Sequence, residues 1–253
     1  MELNLTGKIA LVTGASGDLG RVMVRTLASC GADVVIHYNS NAAKAEELKN
    51  EISAMGRRAL TVQADITDQA SIESMKTAAE QLGSVDIVVA NAVIQYSWTS
   101  VLEQPAADYQ GQFDSCVMQS VYLAKAFVPG MIERGQGGRF IGINTECAMQ
   151  NFANQSAYVA GKRGMDGVYR VLAREIGEHG ITVNQVAPGW TISDRDRDKG
   201  TERSESYEST VPLKRRGTDQ EIANTVAFLA SDLASFITGA YIPVSGGNVM
   251  PTI

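Results

Sequence analysis

The chain has 253 residues, 44% of them hydrophobic and 20% charged, with a formal net charge of −6. That length supports a sizeable core in one large domain or two small ones. The acidic balance argues against a general binder of nucleic acid or anionic membrane, since both need a basic surface.

No apolar run approaches the length of a membrane span. The N-terminal stretch Met1–Lys8 lacks the charged-then-apolar pattern of a secretion signal. Cys30, Cys116 and Cys147 are odd in number, and with His37 and His179 they show no metal spacing. Free thiols fit a reducing compartment, so a cytoplasmic location is expected.

Apolar strand-like runs and helical periodicity alternate along the chain. The first strand, Ile9–Thr13, runs into the Gly-rich turn Gly14-Ala-Ser-Gly-Asp-Leu-Gly20 and a helix over Leu19–Ser29. Further strands are predicted at Val34–Tyr38, Ala59–Gln63, Ile87–Ala90, Arg139–Ile143, Thr182–Ala187 and Tyr241–Val244. The helices between them are predicted at Ala42–Met55, Gln69–Gln81, Ala106–Arg134, Ser156–His179 and Asp219–Ala230. Alternating strands and helices imply right-handed crossovers and a parallel sheet covered on both faces. The expected fold is therefore α/β, a Rossmann-like doubly wound sheet of about seven strands in a single domain over residues 1–253. Thr191–Arg216 breaks the composition, being rich in charge and Ser/Thr without a clear period. It reads either as a solvated loop or as a mobile lid, and its place in the strand order favours the lid.

A Gly-rich turn between a strand and a helix is suited to phosphate. Glycines let the backbone approach a ligand closely, and the helix start offers N–H groups and the positive end of its dipole. A second pattern carries proton chemistry. Tyr158 and Lys162 stand four residues apart, on one face of a helix. An ammonium near a phenol stabilises the phenolate and lowers its pKa from about 10. The pair can then trade a proton with an alcohol or carbonyl oxygen.

Together these segments resemble the short-chain dehydrogenase/reductase family over nearly the whole chain. Thr13-Gly14-Ala-Ser-Gly-Asp-Leu-Gly20 is similar to the family's Thr-Gly-x-x-x-Gly-x-Gly motif, with Asp18 at the middle glycine position. Ala64-Asp65-Ile66 resembles the acidic turn that holds the adenine. Asn91 and Ala92 retain part of the Asn-Asn-Ala-Gly motif. Tyr158 and Lys162 match the catalytic pair, and Pro188-Gly189 the turn against the nicotinamide. Ile237–Gly247 resembles the family's last strand.

The resemblance implies hydride transfer between NAD(P) and a carbonyl or alcohol. Tyr158 is then the proton donor, Lys162 its partner and a ligand of the nicotinamide ribose, and Thr145 the hydroxyl that orients the substrate oxygen. Thr145 stands where the family has a Ser. The family's helix Asn, which holds a water linking Lys to solvent, falls on Cys116. A thiol is a weak donor and acceptor, so Cys116 reads better as a small buried hydrophobe. Cys147 is near Thr145 and is either a reactive thiol or a buried one, the latter being favoured.

The cofactor contacts implied are Gly14, Ser16, Gly17, Asp18, Leu19, Gly20, Tyr38, Asn39, Ser40, Asp65, Ile66, Asn91, Tyr158, Lys162, Pro188, Gly189 and Thr191. NAD enzymes place an acid at the end of the second strand. Here that end reads His37-Tyr38-Asn39-Ser40, and Arg21 follows the turn, which favours NADP over NAD. The Asp18 carboxylate opposes that preference, by repulsion of a 2′-phosphate.

For substrate, Thr145, Tyr158 and Trp190 are the expected contacts, with Trp98 and Tyr96 either lining the pocket or packing. Val211–Arg215 and the chain's ending are similar to those of 3-oxoacyl thioester reductases, the substrate class expected first. Sugar, polyol or other secondary-alcohol dehydrogenases are the alternative. A dinucleotide-binding regulator or scaffold with weak catalysis is the alternative of another class. No metal, nucleic acid or membrane partner is expected, and the resemblance implies a homotetramer.

Overall fold

The computed structural model describes residues 3–251. In chain order its elements begin with β1 (Ile9–Val12), α1 (Asp18–Ser29), β2 (Asp33–Tyr38), α2 (Ala42–Ala54), β3 (Ala59–Gln63), α3 (Gln69–Ala79) and β4 (Ile87–Ala90). They continue through α4 (Ala106–Gln112), a π-helical segment (Phe113–Met118), α5 (Gln119–Arg134), β5 (Gly138–Ile143), α6 (Cys147–Gln150), α7 (Ser156–Ile176) and β6 (Ile181–Pro188). The last are β7 (Thr191–Ile192), α8 (Asp194–Lys199), α9 (Glu205–Thr210), β8 (Gly217–Thr218), α10 (Asp219–Ala230) and β9 (Tyr241–Val244).

Seven strands form one sheet in the order β3-β2-β1-β4-β5-β6-β9, and every pairing is parallel. The chain reverses its direction of travel across the sheet between β1 and β4. That switch point opens a crevice at the carboxyl ends of the strands.

Side-chain alternation along each strand feeds two separate cores. Ala10, Val12, Val34 and Ile36 join Met23, Leu27, Leu48, Ile52, Ile222 and Val226 on the face covered by α1, α2 and α10. Leu11, Val35 and Val88 join Ile72, Met75, Leu123, Phe127, Met165 and Tyr169 beneath α3, α5 and α7. Burial on both faces is why β1 and β4 read as continuous apolar runs, while β6, equally buried, carries Asn184 and Gln185 among its apolar residues. Helix starts are fixed by side chains. Asn41 caps α2, Asp68 caps α3, and Thr218 with Glu221 forms a capping box on α10.

Two segments depart from the sequence expectation. The predicted helix 106–134 is interrupted by the π-helical turns of Phe113–Met118. Side-chain hydroxyls and an amide satisfy carbonyls there: Ser115 donates to Gly111 O at 2.7 Å, Gln119 to Ser115 O at 2.5 Å and Ser120 to Cys116 O at 2.7 Å. Residues 191–216 are not an irregular loop. They hold α8 and α9, and β7 pairs with β8. The organiser is Arg216, fully buried, whose guanidinium donates to Thr201 O at 2.8 Å and Thr191 O at 3.0 Å, and pairs with Asp196 at 3.1 Å. It also lies 4.4 Å from the Trp190 ring centroid. The charges of this segment are mostly paired: Arg197 with Asp194 and Asp219, and Arg203 with Glu208.

Helix α7 packs on α4 through Gly161. A Cβ at Gly161 would stand 2.8 Å from the Gln112 backbone oxygen. Gly161→Ala gains up to about 1 kcal/mol of helix propensity, yet overpacking against backbone costs about 1–3 kcal/mol. A net loss of stability is expected in urea denaturation. An unchanged or higher midpoint would show that the contact yields.

Candidate active site

A cleft of about 790 Å³ opens at the switch point. The Gly-rich turn forms one wall, with Gly14, Ser16, Gly17, Asp18, Leu19 and Gly20 all lining it. Gly14 has φ +63°, and a Cβ on Gly20 would sit on Gly14 O. Both positions therefore require the missing side chain. Gly17 caps α1 without a side-chain bond, which leaves the first N–H groups of the helix to a ligand. Asn39, Ser40, Asp65 and Ile66 line the part of the cleft beside β2 and β3. Asn91, Thr145, Tyr158, Lys162, Pro188, Gly189 and Thr191 line the rest. An anion-seeking helix start, close backbone approach and a buried ammonium fit a dinucleotide.

The turn is held by a small network. The Thr13 hydroxyl donates to Gln119 Oε1 at 2.7 Å and accepts from the N–H groups of Asn91 and Ala92 at 2.9 and 3.0 Å. The Asn91 amide donates to Thr13 O at 2.8 Å. His37, nearly inaccessible, accepts from Gly14 N through Nδ1 at 2.9 Å, while Nε2 faces Ala64 O at 3.1 Å. That pattern demands the neutral ring with its proton on Nε2.

Two sequence expectations need correction here, those for Tyr38 and Arg21, while the favoured reading of Cys116 as a buried hydrophobe holds. Tyr38 does not reach the cleft. It packs against the core under α1 and α2, because the strand alternation that turns His37 into the cleft turns Tyr38 away. Cys116 lines neither cleft. It is buried in the π-helical segment, with Sγ 3.8 Å from Gln112 Oε1. Arg21 is tied to Asp194 at 2.6 Å and to Asp18 at 3.4 Å, and the arginine on the cleft wall is Arg195 instead. His37, Thr67, Ser193 and Arg195 are wall residues that motif spacing could not single out.

A second cleft of about 590 Å³ meets the first at Thr145, Tyr158, Gln95, Gly189 and Thr191. Its walls are Trp98, Phe152, Trp190 and Tyr207, with Glu146, Cys147 and Gln155 among the polar groups. Trp98 stacks on Tyr158, with centroids 6.1 Å apart and planes at 26°. Trp190 meets Tyr207 edge-on at 5.6 Å. Tyr96 is not a wall residue of this cleft. Its hydroxyl accepts from the N–H of Tyr158 at 2.5 Å.

At the junction, Lys162 is buried and donates from Nζ to Ile143 O at 2.6 Å. Its ammonium lies 5.8 Å from the Tyr158 ring centroid. Thr145 is seated by its N–H on Asn144 Oδ1 at 2.9 Å, and its carbonyl accepts from the Tyr241 hydroxyl. Burial raises the Tyr158 pKa above that of a free phenol, and the Thr145 hydroxyl offsets part of the rise. The direction is opposite to the lowering expected from the Tyr–Lys spacing, because desolvation of the buried phenol is the largest influence on it. Burial also pushes the Cys147 thiol up, away from a reactive thiolate.

Glu146 is buried beside Thr145. It accepts from the Tyr207 hydroxyl at 2.8 Å and the Asn248 amide at 3.0 Å. Burial raises its pKa, and these two hydrogen bonds offset part of the rise. The carboxyl thereby ties α9 and the C-terminal turn to the residue next to Thr145.

His37 gives the site a pH signature. Burial lowers its pKa from 6.5 to about 4. The unfolded chain takes up this proton below 6.5 while the folded one does not until about 4. Stability is therefore lost as pH falls through that window, by about 3 kcal/mol in total. His37→Gln is expected to lose less stability than wild type between pH 6.5 and 4 in thermal melts. Equal slopes would rule out His37 as the titrating group.

Residues 14–248 match the family described as enoyl-(acyl carrier protein) reductase. The chain is 37% identical to the 3-oxoacyl-[acyl-carrier-protein] reductase of Staphylococcus aureus, covering 96% of this chain and 98% of that one. It is 33% identical to the L-rhamnose 1-dehydrogenase (NAD(P)(+)) of a Sphingomonas species, over 96% of each. Among solved structures, a blue fluorescent protein from a metagenomic library, in complex with NADPH, superposes with a TM-score of 0.90 at 36% identity, over 98% of this chain and 100% of that one. A 7α-hydroxysteroid dehydrogenase, complexed with NADH and a 7-oxo bile acid conjugate, gives 0.88 at 31%, over 99% and 97%. Fold, cleft and relatives agree: the chain belongs to the short-chain dehydrogenase/reductase family of NAD(P)-dependent oxidoreductases.

Proposed function

We propose that this protein reduces the ketone of a 3-oxoacyl thioester to an alcohol, using NADPH. The observation that carries the proposal is the junction of the two clefts, where Thr145 and Tyr158 border both the phosphate-seeking cleft and the apolar one. A dinucleotide held in the cleft by the Gly14–Gly20 turn and Lys162 would supply the hydride. The Thr145 hydroxyl orients the carbonyl oxygen. Tyr158 hands its phenolic proton to that oxygen as charge develops on it. A phenol whose pKa burial has raised keeps its proton until then, which suits an acid in the reducing direction. Lys162, fixed by Ile143 O, has further N–H donors for the ribose hydroxyls, and its charge favours the phenolate left behind. Cys147 and Cys116 take no part.

The 191–216 segment serves as the lid over the apolar cleft, with Glu146, the neighbour of Thr145, as its tie through the Tyr207 hydroxyl. The cell compartment inferred is the cytoplasm, in keeping with three free thiols. The aromatic walls Trp98, Phe152, Trp190 and Tyr207 favour a second reading, a dehydrogenase of ring-bearing secondary alcohols. A homotetramer is inferred from the family resemblance, with Val171 on α7 and Phe236 before β9 as exposed apolar side chains that an interface would cover. A monomer in sedimentation would count against it.

The deciding assay offers an acetoacetyl thioester, cyclic ketones and sugars with each cofactor. Thioester reduction at the highest kcat/KM supports the first reading, and a preference for cyclic ketones supports the second. Tyr158→Phe is expected to lower turnover at least 100-fold. Equal rates in the variant and wild type would remove Tyr158 from its role. Cofactor binding without turnover of any substrate would indicate a regulatory protein.

Cofactor preference rests on Asn39, Ser40 and Arg195 along the cleft, with no acid at the end of β2. Asn39→Asp is expected to shift the NADPH-to-NADH ratio of kcat/KM toward NADH by about tenfold or more, since a carboxylate accepts from a ribose 2′-hydroxyl and repels a phosphate. Wild type already preferring NADH would overturn the assignment.

A further inference from the structure

Helix α7 starts at Ser156 with Gln155 at its N-cap, and the Gln155 side chain makes no capping bond. The first N–H groups of a helix have no partner within it, and here one of them belongs to Tyr158. That N–H donates to the Tyr96 hydroxyl at 2.5 Å. Tyr96 lies in the stretch 91–105, which carries no helix or strand and connects β4 to α4. Trp98 of the same stretch stacks on the Tyr158 ring. One loop thus holds Tyr158 by both its backbone and its ring.

The loop is itself tethered by three buried glutamines. Gln104 donates to Ser97 O at 3.2 Å, Gln112 to Ile94 O at 2.6 Å and Gln119 to Ala92 O at 2.8 Å. Gln112 sits where α4 meets α7 at Gly161, so loop and helix share one support. Gln119 also receives the Thr13 hydroxyl, which connects the loop to the cofactor turn.

We propose that Tyr96 is a positioning residue for the proton donor. By accepting from the N–H of Tyr158 it fixes the first turn of α7, and with it the height of the Tyr158 hydroxyl against Thr145. This rests on Tyr158 being the proton donor. A helix start without its cap frays, and a misplacement of about 1 Å in a reacting group costs up to about 100-fold in rate.

Tyr96→Phe keeps the ring and removes only the acceptor. With the carbonyl substrate that wild type turns over best, its kcat is expected to fall about tenfold. The substrate KM and the NADPH Kd are expected to stay within about twofold, and the amide of Tyr158 to exchange hydrogen faster. A purely structural role would lower the folded fraction and leave kcat per folded molecule unchanged, so the rates are normalised by thermal melts. Wild-type kcat in Tyr96→Phe, or a loss confined to KM or to the folded fraction, overturns the proposal. Tyr158→Phe is assayed alongside. Loss there without loss in Tyr96→Phe refutes the positioning role alone, and no loss in Tyr158→Phe refutes the donor assignment and the positioning role with it.

Discussion

The Thr13 hydroxyl is the contact on which the rest of the site depends. A parallel sheet that reverses direction leaves a gap beyond the ends of β1 and β4, and backbone groups in that gap have no strand to pair with. Thr13 fills it with one oxygen, accepting from Asn91 N and Ala92 N and donating to Gln119. Asn91 returns a hydrogen bond to Thr13 O. The Gly-rich turn, the loop beyond β4 and the start of α5 therefore share one fixed point. A buried polar network of this kind is rigid only when every member is satisfied, and here His37 completes it by holding Gly14 N. The phosphate-seeking end and the proton-transfer end of the crevice are set relative to each other through it.

Desolvation governs the chemistry at the other end. Tyr158, Glu146, Tyr207, Tyr241 and Cys147 all have pKa values raised by burial. The junction thus favours uncharged side chains, with the Lys162 ammonium as a fixed positive charge near the phenol. Such a setting strengthens every electrostatic interaction made with a developing alkoxide, because little solvent competes. It also explains why Cys147, close to the reacting atoms, is chemically quiet.

Most of the fold was legible because the strands carry strong signals. Runs such as Ile9–Val12 and Ile87–Ala90 are buried on both faces, and their boundaries in the structure fall within a residue of those read from the pattern. The Gly-rich turn and the Tyr158–Lys162 spacing were equally readable, since each is local. What could not be read depends on contacts distant in sequence. The choice between Tyr38 and His37 turns on strand register, which fixes the face of each side chain and is not printed in a motif. The segment 191–216 lacks periodicity because α8 and α9 have six residues each and bury little, their placement coming from Arg216 and the Ser193–Asp196 capping box. Cys116 stood at an aligned position, but the π-helical turns around it leave its side chain in the core.

Tyr96 shows the same division from the other side. An aromatic residue after the fourth strand suggests a pocket wall, and Trp98, two residues on, is one. In an extended stretch, neighbours two apart tend to share a face, but this loop is bent by its glutamine tethers at Ala92, Ile94 and Ser97. The bend separates the two rings, sending Trp98 over the Tyr158 ring and the Tyr96 hydroxyl to the helix start. Three amides buried for their hydrogen bonds thereby convert a flexible connection into a support for the reacting group. Burying a polar amide is costly unless it is paired, and each of these is paired to a loop carbonyl. Loosening the loop would leave those amides and carbonyls unpaired in the interior, so the same bonds that shape it also resist its opening. The position of the Tyr158 hydroxyl is in this sense set from residues outside α7 as much as from the helix that carries it.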